Sequence, residues 1–268
     1  MKLGFIGAGN MAGAIIKGFV NKNCVNSSDI YFIRQNKEKQ AQQASEIGIN
    51  GCNDYESLIE NSDILFLGVK PVVFPTLLPQ IAKSVKKKNP LVVSMAAGLT
   101  TDSIKEMLGY DAKIIRIMPN VNAAIAMSTT AVCKNEFASD EDLATIKNLF
   151  SSIGLTTEVP ENQFAIFTAI AGCSPAYVYM FIDGLARGAQ KMGMNKQKAL
   201  EIAASAVIGS ASMYAQSNEH PQELVDKVCS PGGTTIEGVT TLEEYKFTAG
   251  VVKAVENSIL KDRELSKK

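Results

Sequence analysis

The sequence is short of the features on which many functional classes depend. Charge of one sign is missing: 27 Lys and Arg stand against 27 Asp and Glu in 268 residues, so the net charge is zero. Proteins that bind nucleic acid across a whole face carry an excess of base, so nucleic acid is not an expected partner. The single histidine, His220, precedes Pro221 at a helix start, which suits a capping or surface position. No Ser-His-Asp or Cys-His arrangement can be built around it. The five cysteines (Cys24, Cys52, Cys133, Cys173 and Cys229) are odd in number, scattered and without a CxxC pair. That spacing argues against a metal knuckle or redox pair, and no His/Asp/Glu cluster has metal-ligand spacing. Scattered reduced thiols fit a cytosolic protein. Long apolar runs are not expected either: Ile64–Val69 is far shorter than the roughly 18–20 residues of a membrane span. Gly4, Gly7, Gly9, Asn10 and Gly13 interrupt the apolar start and break up any secretory leader, so a cytoplasmic protein is expected.

What is present divides at Pro160. In residues 1–160, short apolar runs at Leu3–Ile6, Ile30–Ile33, Ile64–Val69, Leu91–Met95, Ile114–Met118, Thr129–Cys133 and Thr156–Val159 alternate with helical stretches. Several runs are continuously apolar, as in strands covered on both faces, so the fold class is α/β with a doubly wound parallel sheet. Residues 161–268 read as helix throughout, over Glu161–Met192, Asn195–Ser217, Pro221–Val228 and Thr235–Leu265. Around Tyr177–Leu185 the pattern is apolar nearly all round, which predicts burial on every side. A bundle completed by a second subunit accounts for so much apolar surface, and a self-contained bundle is the alternative.

Phe5-Ile6-Gly7-Ala8-Gly9-Asn10-Met11-Ala12 is a GxGxxA pattern between the first strand and the first helix. Gly7 permits a tight turn, Gly9 leaves room for a pyrophosphate, and Ala12 allows close helix–strand packing. The helix start supplies free amides and a positive dipole end to phosphates. The second strand ends Phe32-Ile33-Arg34-Gln35-Asn36, without the carboxylate that would bind a ribose 2′-hydroxyl. Arg34 offers a planar cation for a 2′-phosphate instead, so NADP(H) is expected, with NADH the poorer donor. Later strand ends should also face the cofactor, which brings in Lys70 and, more weakly, Asn120 beside the nicotinamide.

In the helical half, Cys229-Ser230-Pro231-Gly232-Gly233-Thr234-Thr235-Ile236-Glu237 joins two helices. Thr234 and Glu237 have capping-box spacing, and the glycines expose amides beside a helix start, a cradle suited to a carboxylate. A carbonyl reductase needs a proton donor for the developing alkoxide. An imine arrives protonated and needs positioning more than acid, so the scarcity of acids points towards C=N reduction.

FIGAGNMAGAI at 5–15, VKP at 69–71, MAAG at 95–98, RIMPN at 116–120, SPAYVYMFID at 174–183 and above all SPGGTTIEGV at 230–239 together resemble the pyrroline-5-carboxylate reductases, almost end to end. The resemblance implies a Rossmann-like dinucleotide-binding domain over 1–160 and an all-α substrate-binding and dimerisation domain over 161–268. It implies reduction of 1-pyrroline-5-carboxylate to L-proline by a homodimer, with larger rings of dimers in some members. Ile6, Gly7, Ala8, Gly9, Asn10, Met11, Arg34, Val69, Lys70, Pro71, Met95, Ala96 and Ala97 would line NADP(H). Ser230, Gly232, Gly233, Thr234 and Thr235 would hold the substrate carboxylate, with the Thr235 hydroxyl near the ring nitrogen and Glu161 beside the substrate. The chain departs from the family pattern at Val121 and Asn122, at Ala126 and Ser128 where glycines are common, and at Cys173 and Ser174. Those departures keep two alternatives open: a reductase of another small imine or keto acid, and a non-catalytic NADP-binding regulator.

Overall fold

The computed structural model describes residues 1–265. The elements run β1 (Leu3–Ile6), α1 (Asn10–Asn21), β2 (Ile30–Ile33), α2 (Lys37–Ile47), β3 (Asn50–Gly51), α3 (Tyr55–Glu60), β4 (Ile64–Leu67), α4 (Phe74–Lys88), β5 (Leu91–Ser94), α5 (Thr101–Leu108), β6 (Ile114–Met118), β7 (Ser128–Lys134), α6 (Asp140–Ser151) and β8 (Gly154–Glu158). Then come α7 (Phe164–Phe167), α8 (Ser174–Lys191), α9 (Lys196–Gln216), α10 (Pro221–Val228), α11 (Thr234–Glu244) and α12 (Phe247–Leu265). The chain forms two compact units, Met1–Gly172 with the segment from Ile259 onward, and Cys173–Ser258.

In the first unit the strands form one sheet in the order β3-β2-β1-β4-β5-β6-β7-β8. Every pairing is parallel except β6 with β7. The Pro119–Met127 connection carries only a 3-10 turn, Val121–Ile125. A parallel crossover takes about a dozen residues or more, so the chain returns antiparallel. Alternate strand residues feed opposite cores. Leu3, Phe5, Phe32, Phe66 and Val93 pack with α1 and α6, while Ile6, Ile33, Leu65, Leu67 and Val92 pack with α3, α4 and α5. The Phe5 and Phe66 rings stack across β1 and β4 with centroids 4.5 Å apart.

The second unit is different. Pro175, Ala186, Ala199 and Ala203 are the buried residues among those described in it. The apolar stretch expected to be enclosed is open in the single chain: Tyr179 is 60% and Met180 74% exposed. Among the described residues no second layer covers it. The expectation about apolar length is corrected too, because the continuous helical run Glu161–Lys191 is long and apolar enough to cross a membrane by length and composition. Its π-helical stretch, Thr168–Cys173, joins α7 to α8. The expected helix Thr235–Leu265 is two helices. Lys246 adopts φ 56°, a left-handed stop between α11 and α12 with neither Gly nor Pro to mark it.

Candidate active site

Ligands of open α/β sheets bind beyond the carboxyl ends of the strands, where the strand order reverses. Here that point lies between β1 and β4. Gly7 follows β1 at φ 87°, and a Cβ on it would lie 2.8 Å from the Gly68 carbonyl oxygen, so the strand ends close up only on glycine. Gly9 is glycine for another reason: a Cβ there would meet nothing within 4 Å, so it would project into open space at the helix start. Gly9 is the N-cap of α1, without a side-chain cap and without an acidic residue in the first turn. The first-turn amides are therefore left for an outside acceptor, and the local potential favours an anion. These residues fit a dinucleotide pyrophosphate.

A cleft of about 840 Å³ opens there, lined by Ile6, Gly7, Ala8, Gly9, Arg34, Val69 and Lys70, and also by Asn36, Lys37, Lys39 and Tyr55. A second cleft, about 530 Å³, shares Ala8, Gly9, Arg34 and Lys39 with the first and adds Asn10, Lys17 and Gln43. Lys37, Lys39 and Gln43 were missed by sequence reasoning; the signal for the lysines was their place just beyond the end of β2. Met11, Pro71, Met95, Ala96 and Ala97 line neither cleft. Met11 and Met95 are half-buried against the α1-side core, Ala96 is buried on the other face, and Pro71 and Ala97 are exposed.

Two predicted residues have their polar atoms engaged within the first unit. Asn120 is buried; its Nδ2 donates to the Ala171 carbonyl at 3.0 Å and its Oδ1 accepts the Thr129 amide at 3.2 Å. Glu161 Oε1 accepts the Thr101 amide at 2.9 Å, and Oε2 accepts the Thr101 hydroxyl at 3.0 Å. Arg116 Nη1 donates to Glu161 Oε1 at 3.3 Å, while the guanidinium lies over the Phe164 ring. Burial first, and the nearby Glu161 charge second, push the Cys133 thiol up to about 12, so it is no nucleophile at neutral pH.

The 230–239 loop belongs to the second unit. The Gly233 amide donates to the Ser230 carbonyl at 3.0 Å, and a Cβ on Gly233 would lie 2.9 Å from Ser230 Oγ. Gly232 has φ 67°. Together they turn the chain sharply into α11. The expected Thr234–Glu237 capping box is not formed, because the tight turn makes Gly233 the N-cap and Thr234 the first helical residue, and α11 starts without a side-chain cap. That leaves first-turn amides beside the half-buried Thr235. His220 is a cap: its Nδ1 accepts the Gln222 amide at 3.2 Å, and Glu223 reciprocates at the His220 amide.

Residues 161–265 match the family described as pyrroline-5-carboxylate reductase dimerisation, and residues 2–98 match NADP oxidoreductase coenzyme F420-dependent. Over 266 residues the chain is 40% identical to the pyrroline-5-carboxylate reductase of Escherichia coli, covering 99% of this chain and 98% of that one. The chain belongs to the pyrroline-5-carboxylate reductase family. Among solved members of the family, the 1-pyrroline-5-carboxylate reductase of Streptococcus pyogenes is 38% identical with a TM-score of 0.88, covering 98% of each chain. The pyrroline carboxylate reductase of Plasmodium falciparum, solved with NADP bound, is 30% identical with a TM-score of 0.89, covering 99% of this chain and 98% of that one.

Proposed function

We propose that the chain reduces 1-pyrroline-5-carboxylate to L-proline with NADPH, by hydride transfer to the ring C=N. The observation that carries the reading is a pair of uncapped helix starts behind glycine turns, one in each unit: α1 behind Gly7–Gly9 and α11 behind Gly232–Gly233. Each supplies bare amides to an anion, the first to a pyrophosphate and the second to a carboxylate. Family membership joins the two into one reaction.

NADPH, when bound, supplies the hydride. Ile6–Met11 would hold its pyrophosphate, Arg34 its 2′-phosphate, and Val69–Pro71 and Met95–Ala97 the nicotinamide end, whereas Asn120 is buried and bonded to Ala171 and Thr129. NADH, lacking the phosphate, is the poorer donor. The amides of Thr234 and Thr235 would fix the substrate carboxylate, in a turn shaped by Ser230, Gly232 and Gly233, whose own amide is taken by the Ser230 carbonyl. The Thr235 hydroxyl would orient the ring nitrogen. The iminium brings its own proton, so no strong acid is required. Glu161 would act from beside this site by holding Thr101, which follows the Met95–Thr100 loop. The open apolar faces of α8 and α9 support a homodimer, in which the loop of one subunit serves the cleft of the other, and rings of dimers would use a further surface. Cytoplasm is the compartment that fits the five free thiols.

The test is NADPH oxidation by the purified chain over a panel of small cyclic imines and 2-keto acids. The reading requires pyrroline-5-carboxylate to have the highest kcat/KM. A better imine or keto acid replaces the substrate, and tight NADPH binding without turnover on any of them makes the chain a nucleotide-binding regulator.

A further inference from the structure

Helix α2 buries two side chains, Gln40 (6% exposed) and Gln43 (8% exposed). A surface helix usually buries an apolar stripe, and a buried amide costs stability unless its hydrogen bonds are made. Both amides turn to one residue. Gln40 Oε1 accepts the Arg34 backbone amide at 2.8 Å, while its Nε2 donates to the Cys52 carbonyl at 2.8 Å. Gln43 Oε1 accepts from Arg34 Nη1 at 2.7 Å. The Gln43 Nε2 lies close to α1, where a Cβ on Gly13 would come within 3.3 Å of it.

The guanidinium at the junction of the two clefts is thus oriented by a neutral acceptor. A carboxylate in its place would orient it too, but would cancel the charge that an incoming phosphate needs. Glu46, the carboxylate lining the second cleft, accepts instead from Gln42 Nε2 at 2.7 Å. Lys39 lines both clefts beside Arg34 and adds positive charge. We infer that Gln43 is a specificity-determining positioning residue, which, with Gln40, presents the full charge of Arg34 to the 2′-phosphate of NADP(H) and so disfavours NAD(H). The inference rests on the dinucleotide reading of the cleft.

The experiment is calorimetric titration of the full chain with 2′,5′-ADP and with ADP, for wild type, Gln43→Glu and Gln43→Met. Wild type binds 2′,5′-ADP the tighter. Gln43→Glu weakens 2′,5′-ADP by about tenfold or more, because the new carboxylate competes for the guanidinium, and leaves ADP within about twofold. Gln43→Met loses a few-fold in the same direction and carries the test if the glutamate variant misfolds. KM for NADPH rises in step while KM for NADH does not. Equal losses on both nucleotides mark a merely structural role and overturn the inference, as does an unchanged ratio or a wild type without preference. A wild type that binds neither nucleotide overturns the dinucleotide reading first.

Discussion

Glu161 is the counter-ion of the buried Arg116, with Oε1 3.3 Å from Nη1. The same carboxylate takes both the amide and the hydroxyl of Thr101, so one side chain ties β6 to the start of α5. Removing one partner of a buried pair costs up to about 3–5 kcal/mol, here eased by Asp262, a second carboxylate in the field of Arg116, whereas replacing both together costs far less. Arg116→Met with Glu161→Gln should therefore be more stable in urea than Glu161→Gln alone. Strictly additive losses would show that the pair is not coupled.

Gly7 and Gly9 separate strain from space. Gly7→Ala forces a side chain onto a left-handed backbone against the Gly68 carbonyl, a penalty of roughly 1–3 kcal/mol or more in thermal unfolding. Gly9→Val sets its Cβ where no protein atom lies within 4 Å, so the chain should fold with a near-native midpoint. On the proposed reading its side chain would fill space that a phosphate takes. Loss of one charge-assisted hydrogen bond, roughly 1.5–3 kcal/mol, weakens NADPH by about tenfold or more in titration. Normal NADPH binding by Gly9→Val would remove the α1 start from the cofactor site.

Thr235 sits in the first turn of α11 and is half-buried. Thr235→Ala should lower kcat/KM by roughly two- to tenfold, the weight of one hydrogen bond, and leave the Kd for NADPH unchanged. Thr235→Ser should restore most of the loss. Wild-type kinetics in the alanine variant would take the hydroxyl out of the reaction.

Ala126 holds φ 56°, where an L side chain costs roughly 1–2 kcal/mol. Ala126→Gly should raise stability by about 0.5–1 kcal/mol after the extra freedom of glycine in the unfolded chain is subtracted. A loss of stability on chemical denaturation would contradict this.

The nucleotide-binding unit was legible because its signals are local. Strands such as Leu3–Ile6 and Ile64–Leu67 carry no polar side chain on either face, and the glycine turn follows the first of them directly. The strand Asn50–Gly51 was not legible: it is two residues long and has no apolar side chain to give it a period. Gln40 and Gln43 look like a solvated helix face in sequence, because only folding brings them under Arg34. The helix break at Lys246 lacks glycine and proline, so nothing local announces it. Tyr179 and Met180 carry a pattern of burial, yet both are exposed in the single chain. Thr234 matched a capping pattern, yet the Ser230–Gly233 turn moved the helix start by one residue.

The central claim is a hydride passing from NADPH to the carbon of a cyclic C=N. The most direct measurement supplies NADPH deuterated at the transferring position of its nicotinamide, together with pyrroline-5-carboxylate, and examines the product by mass spectrometry. The account predicts L-proline carrying a single deuterium on the ring carbon next to nitrogen, formed in step with NADPH oxidation. Unlabelled proline, or no proline from saturating substrate, would contradict it.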